Sequence, residues 1–152
     1  MKRIFIRFFL CVTFALSAVG ADGAWRCEPT EPDEVGPFYK PDAPVRSSIG
    51  SGYVLSGRVR SAADCSPIPN ARIEVWQAGP SGRYDEAHRA TLYSGADGSY
   101  RLATHYPPPY QTRPSHIHIL VLAPGFQRLI TQHYPKKGSV SATFDLVLIP
   151  DR

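Results

Sequence analysis

Several things are scarce in this sequence, and each scarcity removes a class of answer. Only 20% of the residues are charged, against 15 Pro and 12 Gly, which excludes long salt-bridged helices and favours short strands joined by turns. The three cysteines show no zinc-cluster spacing. No repeat is visible, and at 152 residues the chain is one domain rather than several. The longest apolar run, Phe8 to Val19, falls short of the roughly 20 residues that a spanning helix needs, so no stable membrane anchor is expected.

That run is instead preceded by Lys2, Arg3 and Arg7 and followed by small residues, the pattern of a secretory signal peptide over 1–24 with cleavage expected between Gly20 and Ala24. Its removal takes away three basic residues and Asp22. The remainder has 14 basic against 12 acidic residues, so the formal charge drops from +4 to +2 and no nucleic-acid partner is implied. The expected location is secreted or periplasmic. Cys11 leaves with the leader, and Cys27 and Cys65 remain as an even pair for a disulfide in an oxidising compartment.

Residues 25–52 lack periodicity but carry the aromatic patch Val35-Gly36-Pro37-Phe38-Tyr39, and read as an extended arm laid over the domain. Over 53–152, strand signals recur at Tyr53–Arg60, Arg72–Ala78, Ser99–Thr104, Ser115–Ala123, Gln127–His133 and Ser139–Ile149, each bounded by Gly, Pro, Asn or Asp. Ala96-Asp97-Gly98-Ser99 reads as a hairpin turn, and Pro67-Ile68-Pro69-Asn70 as the turn into the second strand. The expected fold is all-β: a single sandwich of immunoglobulin or transthyretin type with an N-terminal arm.

The most informative stretch runs from Arg113 to Leu122. Period two sends His116 and His118 to one face, about 7 Å apart at Cα, with Ile117 and Ile119 on the other. Two imidazoles so placed can share a metal, but no Asp or Glu follows closely to complete a two-histidine, one-carboxylate site, and His88, His105 and His133 fit no copper–zinc pattern. Tyrosine is abundant instead: Tyr84 follows Gly82-Arg83, and Tyr110 follows Pro107-Pro108-Pro109. Phenolates are hard oxygen donors that a trivalent cation can ionise at neutral pH despite an ordinary pKa of about 10. Two tyrosines with two histidines suit ferric iron.

With these motifs in this order the chain resembles the intradiol ring-cleavage dioxygenases, the catechol and protocatechuate dioxygenase family. The resemblance spans about residues 31–149. It is carried by Gly36-Pro37-Phe38-Tyr39, the segment from Pro67 to Ala78, Gly82-Arg83-Tyr84, Asp97-Gly98-Ser99-Tyr100, Pro107-Pro108-Pro109-Tyr110, Arg113-Pro114-Ser115-His116-Ile117-His118 and Leu129-Ile130-Thr131-Gln132-His133-Tyr134. It implies an Fe(3+) cofactor with Tyr84 and His116 as equatorial and Tyr110 and His118 as axial ligands, and Arg113 and Gln132 on the substrate side. The implied reaction joins a catechol-type diol and O2, cleaving between the hydroxyl-bearing carbons to a cis,cis-muconate-type diacid. The axial Tyr110 would leave the metal when substrate binds and help take up its proton. Two departures stand out: the loop from Tyr110 to Arg113 is only Gln111 and Thr112, which implies a shallow pocket, and Pro135 replaces the usual Phe. Export directs the expected substrate towards extracellular phenolics, and a homo-oligomer is left open.

Two other classes share parts of this pattern. A transthyretin-like sandwich that binds or displays without catalysing shares the strand, Pro-Ile-Pro-Asn-Ala, strand segment. A periplasmic copper or zinc binder would use His116 and His118. Neither requires Arg113, His116 and His118 together with both tyrosines.

Overall fold

The computed structural model describes residues 25–151; the expected leader lies outside them. Among the described residues, eight strands form two four-stranded sheets: β1 (Tyr53–Ser61), β2 (Arg72–Trp76), β3 (Arg89–Tyr93), β4 (Ser99–Thr104), β5 (Ile117–Leu122), β6 (Leu129–His133), β7 (Ser141–Thr143) and β8 (Leu146–Leu148). One sheet is antiparallel in the order β3-β2-β5-β6; in the other, β1 pairs antiparallel with β4 on one side and parallel with β7 and then β8 on the other. Alternation selects the core. Leu55, Val59, Ile73, Val75, Leu102, Ile117, Ile119, Leu146 and Leu148 are buried between the sheets, each stabilising the fold by roughly 1.5–3 kcal/mol.

Three sequence expectations need correction. The edge strand β3 was not anticipated, because Arg89–Tyr93 offers only Ala90 and Leu92 to the core; its Thr91 is buried beneath the arm, donating from its backbone N to Pro44 O (2.8 Å) and from Oγ1 to Ala43 O (2.8 Å). The expected strand Ser139–Ile149 is interrupted at Phe144-Asp145. There Arg58 N donates to the Asp145 carboxylate (2.9 Å), and a side chain at Gly57 would place its Cβ 2.1 Å from Phe144 O. The turn at Ala96–Ser99 exists, with Gly98 at φ +76°, but it carries the chain from β3 in one sheet to β4 in the other and closes no hairpin.

The arm follows the surface of the β3-β2-β5-β6 sheet. It is bonded at Cys27–Cys65 (Cα–Cα 5.4 Å), runs beside β8 and β6 through Thr30 N to Val147 O and Asp33 N to Ile130 O, and reaches the outer edge of β3 through Arg46 N to Thr91 O. Between those edges, Gly36–Tyr39 cross the sheet face that carries His118.

Candidate metal centre

β2 and β5 pair so that Trp76 lies opposite His118, and β5 and β6 pair so that His118 lies opposite Gln132. All three side chains therefore project from the outer face, the one the arm covers. His116 stands one residue before β5 yet is 3% exposed, and His118 is 2% exposed. The Nδ1–H of His116 donates to Pro114 O (2.7 Å). That bond fixes the tautomer and leaves Nε2 with a free lone pair. His118 is fixed by shape: its ring stacks parallel on Trp76 with centroids 4.9 Å apart, and a Cβ at Gly36 would lie 2.9 Å from its Cε1.

The loop after β2 brings Tyr84 in from the side, stacked on Phe38 of the arm with centroids 4.4 Å apart. The Tyr84 hydroxyl lies 3.0 Å from His116 Nε2 and 3.3 Å from His118 Nε2, and the two nitrogens are 3.2 Å from each other. Burial pushes the His118 imidazole down to about 4, with neighbouring His116 adding to the effect, so its ring is neutral at neutral pH. Burial, reinforced by Tyr110, pushes the Tyr84 phenol up to about 12. These three polar atoms lean on one another, and Nδ1 of His118 is buried without a hydrogen-bond partner. The three atoms lie within 3.0 to 3.3 Å of one another, close enough to share one ion. The donor set fits a small, hard, highly charged cation, which would also lower the phenol's pKa.

Tyr110 is adjacent but apart from this trio. Its ring meets Tyr84 and Phe38 edge-on, each at 5.3 Å, while its hydroxyl is 3.5 Å from Gln111 Nε2. Paired backbone bonds between Tyr110 and Arg113 (2.9 and 3.2 Å) close the two-residue turn, with Gln111 at φ +52°. Tyr110 and Arg113 are thereby set by one tight loop. Tyr106, four residues earlier, donates to Pro135 O (3.1 Å) and packs on Tyr53, so it is engaged elsewhere.

Arg113 and Gln132 belong to a network that the sequence reading did not foresee. One terminal nitrogen of Arg113 donates to Gln132 Oε1 (3.0 Å) and Tyr134 Oη (2.8 Å), and the other approaches the Glu34 carboxylate (3.4 Å). Gln132 Nε2 donates to Glu34 O (2.7 Å), and Tyr134 donates to the Asp33 carboxylate (2.8 Å). Hydrogen bonds from Glu34 N and the Tyr134 hydroxyl, with the charge of Arg113, outweigh desolvation and hold Asp33 below the usual carboxylate range. Nothing in the arm's composition signals these contacts, because 79 to 101 residues separate the partners.

Glu34, Gly36, Phe38, Tyr84, Tyr110, Arg113, His116 and His118 surround a cleft of about 200 Å³ whose floor is the histidine pair. The other histidines have separate partners: His133 bonds Tyr53 Oη (2.8 Å), His88 bonds Asp85 (2.6 Å), and His105 bonds Gln77 and Ala78 O. A larger groove of about 990 Å³ lies along β1, β3 and β4, away from these donors.

Residues 36–147 match the dioxygenase family. The chain belongs to the intradiol dioxygenases. It is 32% identical to a chlorocatechol 1,2-dioxygenase of Cupriavidus pinatubonensis, over 85% of this chain and 64% of that protein, and 33% identical to a hydroxyquinol 1,2-dioxygenase of Nocardioides simplex, over 67% and 46%. The chain therefore spans less than two thirds of the length of these relatives. Among solved structures it is similar to the dioxygenase domain of a dioxygenase and carbohydrate-binding protein fusion from Streptomyces sp. SirexAA-E, with 33% identity, a TM-score of 0.73, and coverage of 82% of this chain and all of that domain.

Proposed function

We propose that this chain is a non-haem Fe(III) intradiol dioxygenase, opening a catechol-type ring with O2 to a cis,cis-muconate-type diacid. The convergence of Tyr84 Oη, His116 Nε2 and His118 Nε2 at the floor of the Arg113 cleft carries this reading. Tyr84, Tyr110, His116 and His118 would hold the iron. When bound, it would supply Lewis acidity that favours the catechol dianion and a redox partner for the reaction of that dianion with O2.

The protein's own groups supply the rest. Phe38 and the edge of Tyr110 wall the cleft and exclude water from the aromatic ring of the substrate. Tyr110, whose oxygen lies outside the buried trio, would take up a substrate proton only as the phenolate, the form in which it would hold the iron; in that form it does general-base work. The Arg113 guanidinium faces the negative charge that develops on a substrate oxygen, a preorganised interaction worth a few kcal/mol of barrier. Gln132, buried beneath it, holds that guanidinium in place.

The reading extends to location. The expected division is a leader over 1–24, an arm over 25–52 and the sandwich over 53–152, with export to an oxidising compartment; the Cys27–Cys65 bond supports that compartment. The test of the activity is incubation of the iron-loaded protein with catechol under ¹⁸O2 and mass analysis of the product. A ring-opened diacid carrying both labelled atoms is expected; unchanged catechol, or a product cleaved beside the diol, contradicts the proposal.

A further inference from the structure

The charged side chains lining the cleft are Glu34 and Arg113. The guanidinium is already engaged by Glu34, Gln132 and Tyr134, and Tyr134 is itself bonded to the Asp33 carboxylate. Two carboxylates therefore surround one cation. Glu34 contributes one of them at the rim, where its side chain is 80% exposed, while the histidines at the floor are almost fully buried. Glu34 and Gln111 line the same cleft as the histidine pair.

We propose that Glu34 is a specificity residue that disfavours carboxylate-bearing catechols, so that the cleft takes neutral or ammonium-bearing catechols. This rests on the reading of the cleft as a catechol site. An anionic substituent would have to displace Glu34 from Arg113 or sit against an unbalanced carboxylate, because no further cation lines the cleft. An ammonium group meets an acceptor already in place. At such an exposed position the preference is modest, roughly threefold to fivefold at low ionic strength, and it shrinks as salt screens it.

The experiment measures affinities of the iron-loaded protein for catechol, protocatechuate and dopamine under nitrogen, by quenching of tryptophan fluorescence, at low and high salt. Turnover of catechol in air is assayed alongside. The expected order at low salt is dopamine, then catechol, then protocatechuate. Glu34→Gln, which keeps an acceptor for Arg113 but removes the charge, should bring the three together, Glu34→Lys should invert the order, and Glu34→Asp should restore it. A purely structural role for Glu34 would lower all three affinities together and leave their ratios unmoved by charge or salt. Catechol bound and turned over with the protocatechuate-to-dopamine ratio unchanged in Glu34→Gln overturns the specificity claim and leaves the dioxygenase reading standing. Binding of none of the three diols overturns both.

Discussion

The indole of Trp76 lies face to face with the imidazole of His118, their planes parallel and their centroids 4.9 Å apart. The two residues are cross-strand partners on β2 and β5. Gly36 of the arm comes so close to the same ring that a Cβ there would lie 2.9 Å from Cε1. His118 is thus held between sheet and arm, and this explains why a segment without regular secondary structure bears on the proposed metal centre.

Gly36 is where that arrangement is most easily broken. Its φ of +70° costs an L-residue about 1–2 kcal/mol, and an added Cβ meets the ring at 2.9 Å. Gly36→Ala should lower the thermal midpoint and reduce iron retention together. Melting curves and metal analysis of that variant check both effects.

The disulfide closes a separation of 38 residues, and removing it through Cys27→Ser with Cys65→Ser should destabilise by roughly 3–4 kcal/mol. The iron site should survive in the folded variant, since Thr30 and Asp33 tie the arm independently. Urea titration beside iron content distinguishes the two effects. Two titratable thiols in the denatured, unreduced parent protein would contradict the bond itself.

His133 supplies a pH dependence of its own, apart from the Tyr84, His116 and His118 cluster. Burial beside Tyr53 pushes its imidazole down to about 4 from the ordinary 6.5. The unfolded chain takes up this proton first as pH falls, so the stabilising contribution is full above about 6.5 and is lost between there and about 4. The slope from this group approaches about 1.4 kcal/mol per pH unit. Stability curves of the parent and His133→Gln from pH 7 to pH 4 should differ by a slope of that sign. Parallel curves would show that His133 does not titrate as described.

Tyr84 and Tyr110 should behave differently when each loses its hydroxyl. Tyr84 touches both imidazoles, whereas Tyr110 does not. Tyr110→Phe should keep iron and a shifted colour but turn over catechol far more slowly, and Tyr84→Phe should weaken the metal itself. Iron stoichiometry and diacid formation, measured for both, settle the assignment; parental turnover by Tyr110→Phe would remove it from the reaction.

The site was legible where chemistry and spacing coincide. His116 and His118 announce a shared face through period two, whereas the short loop from Tyr110 to Arg113 suggests only a shallow pocket and not the paired backbone bonds that set the two residues together. The arm's aromatic patch also signalled contact with the domain, because Phe38 and Tyr39 have much apolar surface to leave in water; both are half-buried, while Val35 stays exposed. Its acidic residues gave no such signal. Asp33 and Glu34 look like solvated charges, and only the long-range crossing of the arm places them on Tyr134, Arg113 and Gln132. The turn at Ala96–Ser99 shows a similar limit: its residues specify a reversal of the chain, but not which sheet the next strand joins.

The most direct test of the account is metal analysis with a visible spectrum, on the purified parent protein and on His118→Ala after exposure to ferric iron. The account predicts about one iron per parent chain, a red-brown colour from phenolate-to-iron charge transfer, and loss of both in a still-folded His118→Ala. A colourless parent that remains iron-free, or a His118→Ala variant with full iron content, would contradict it.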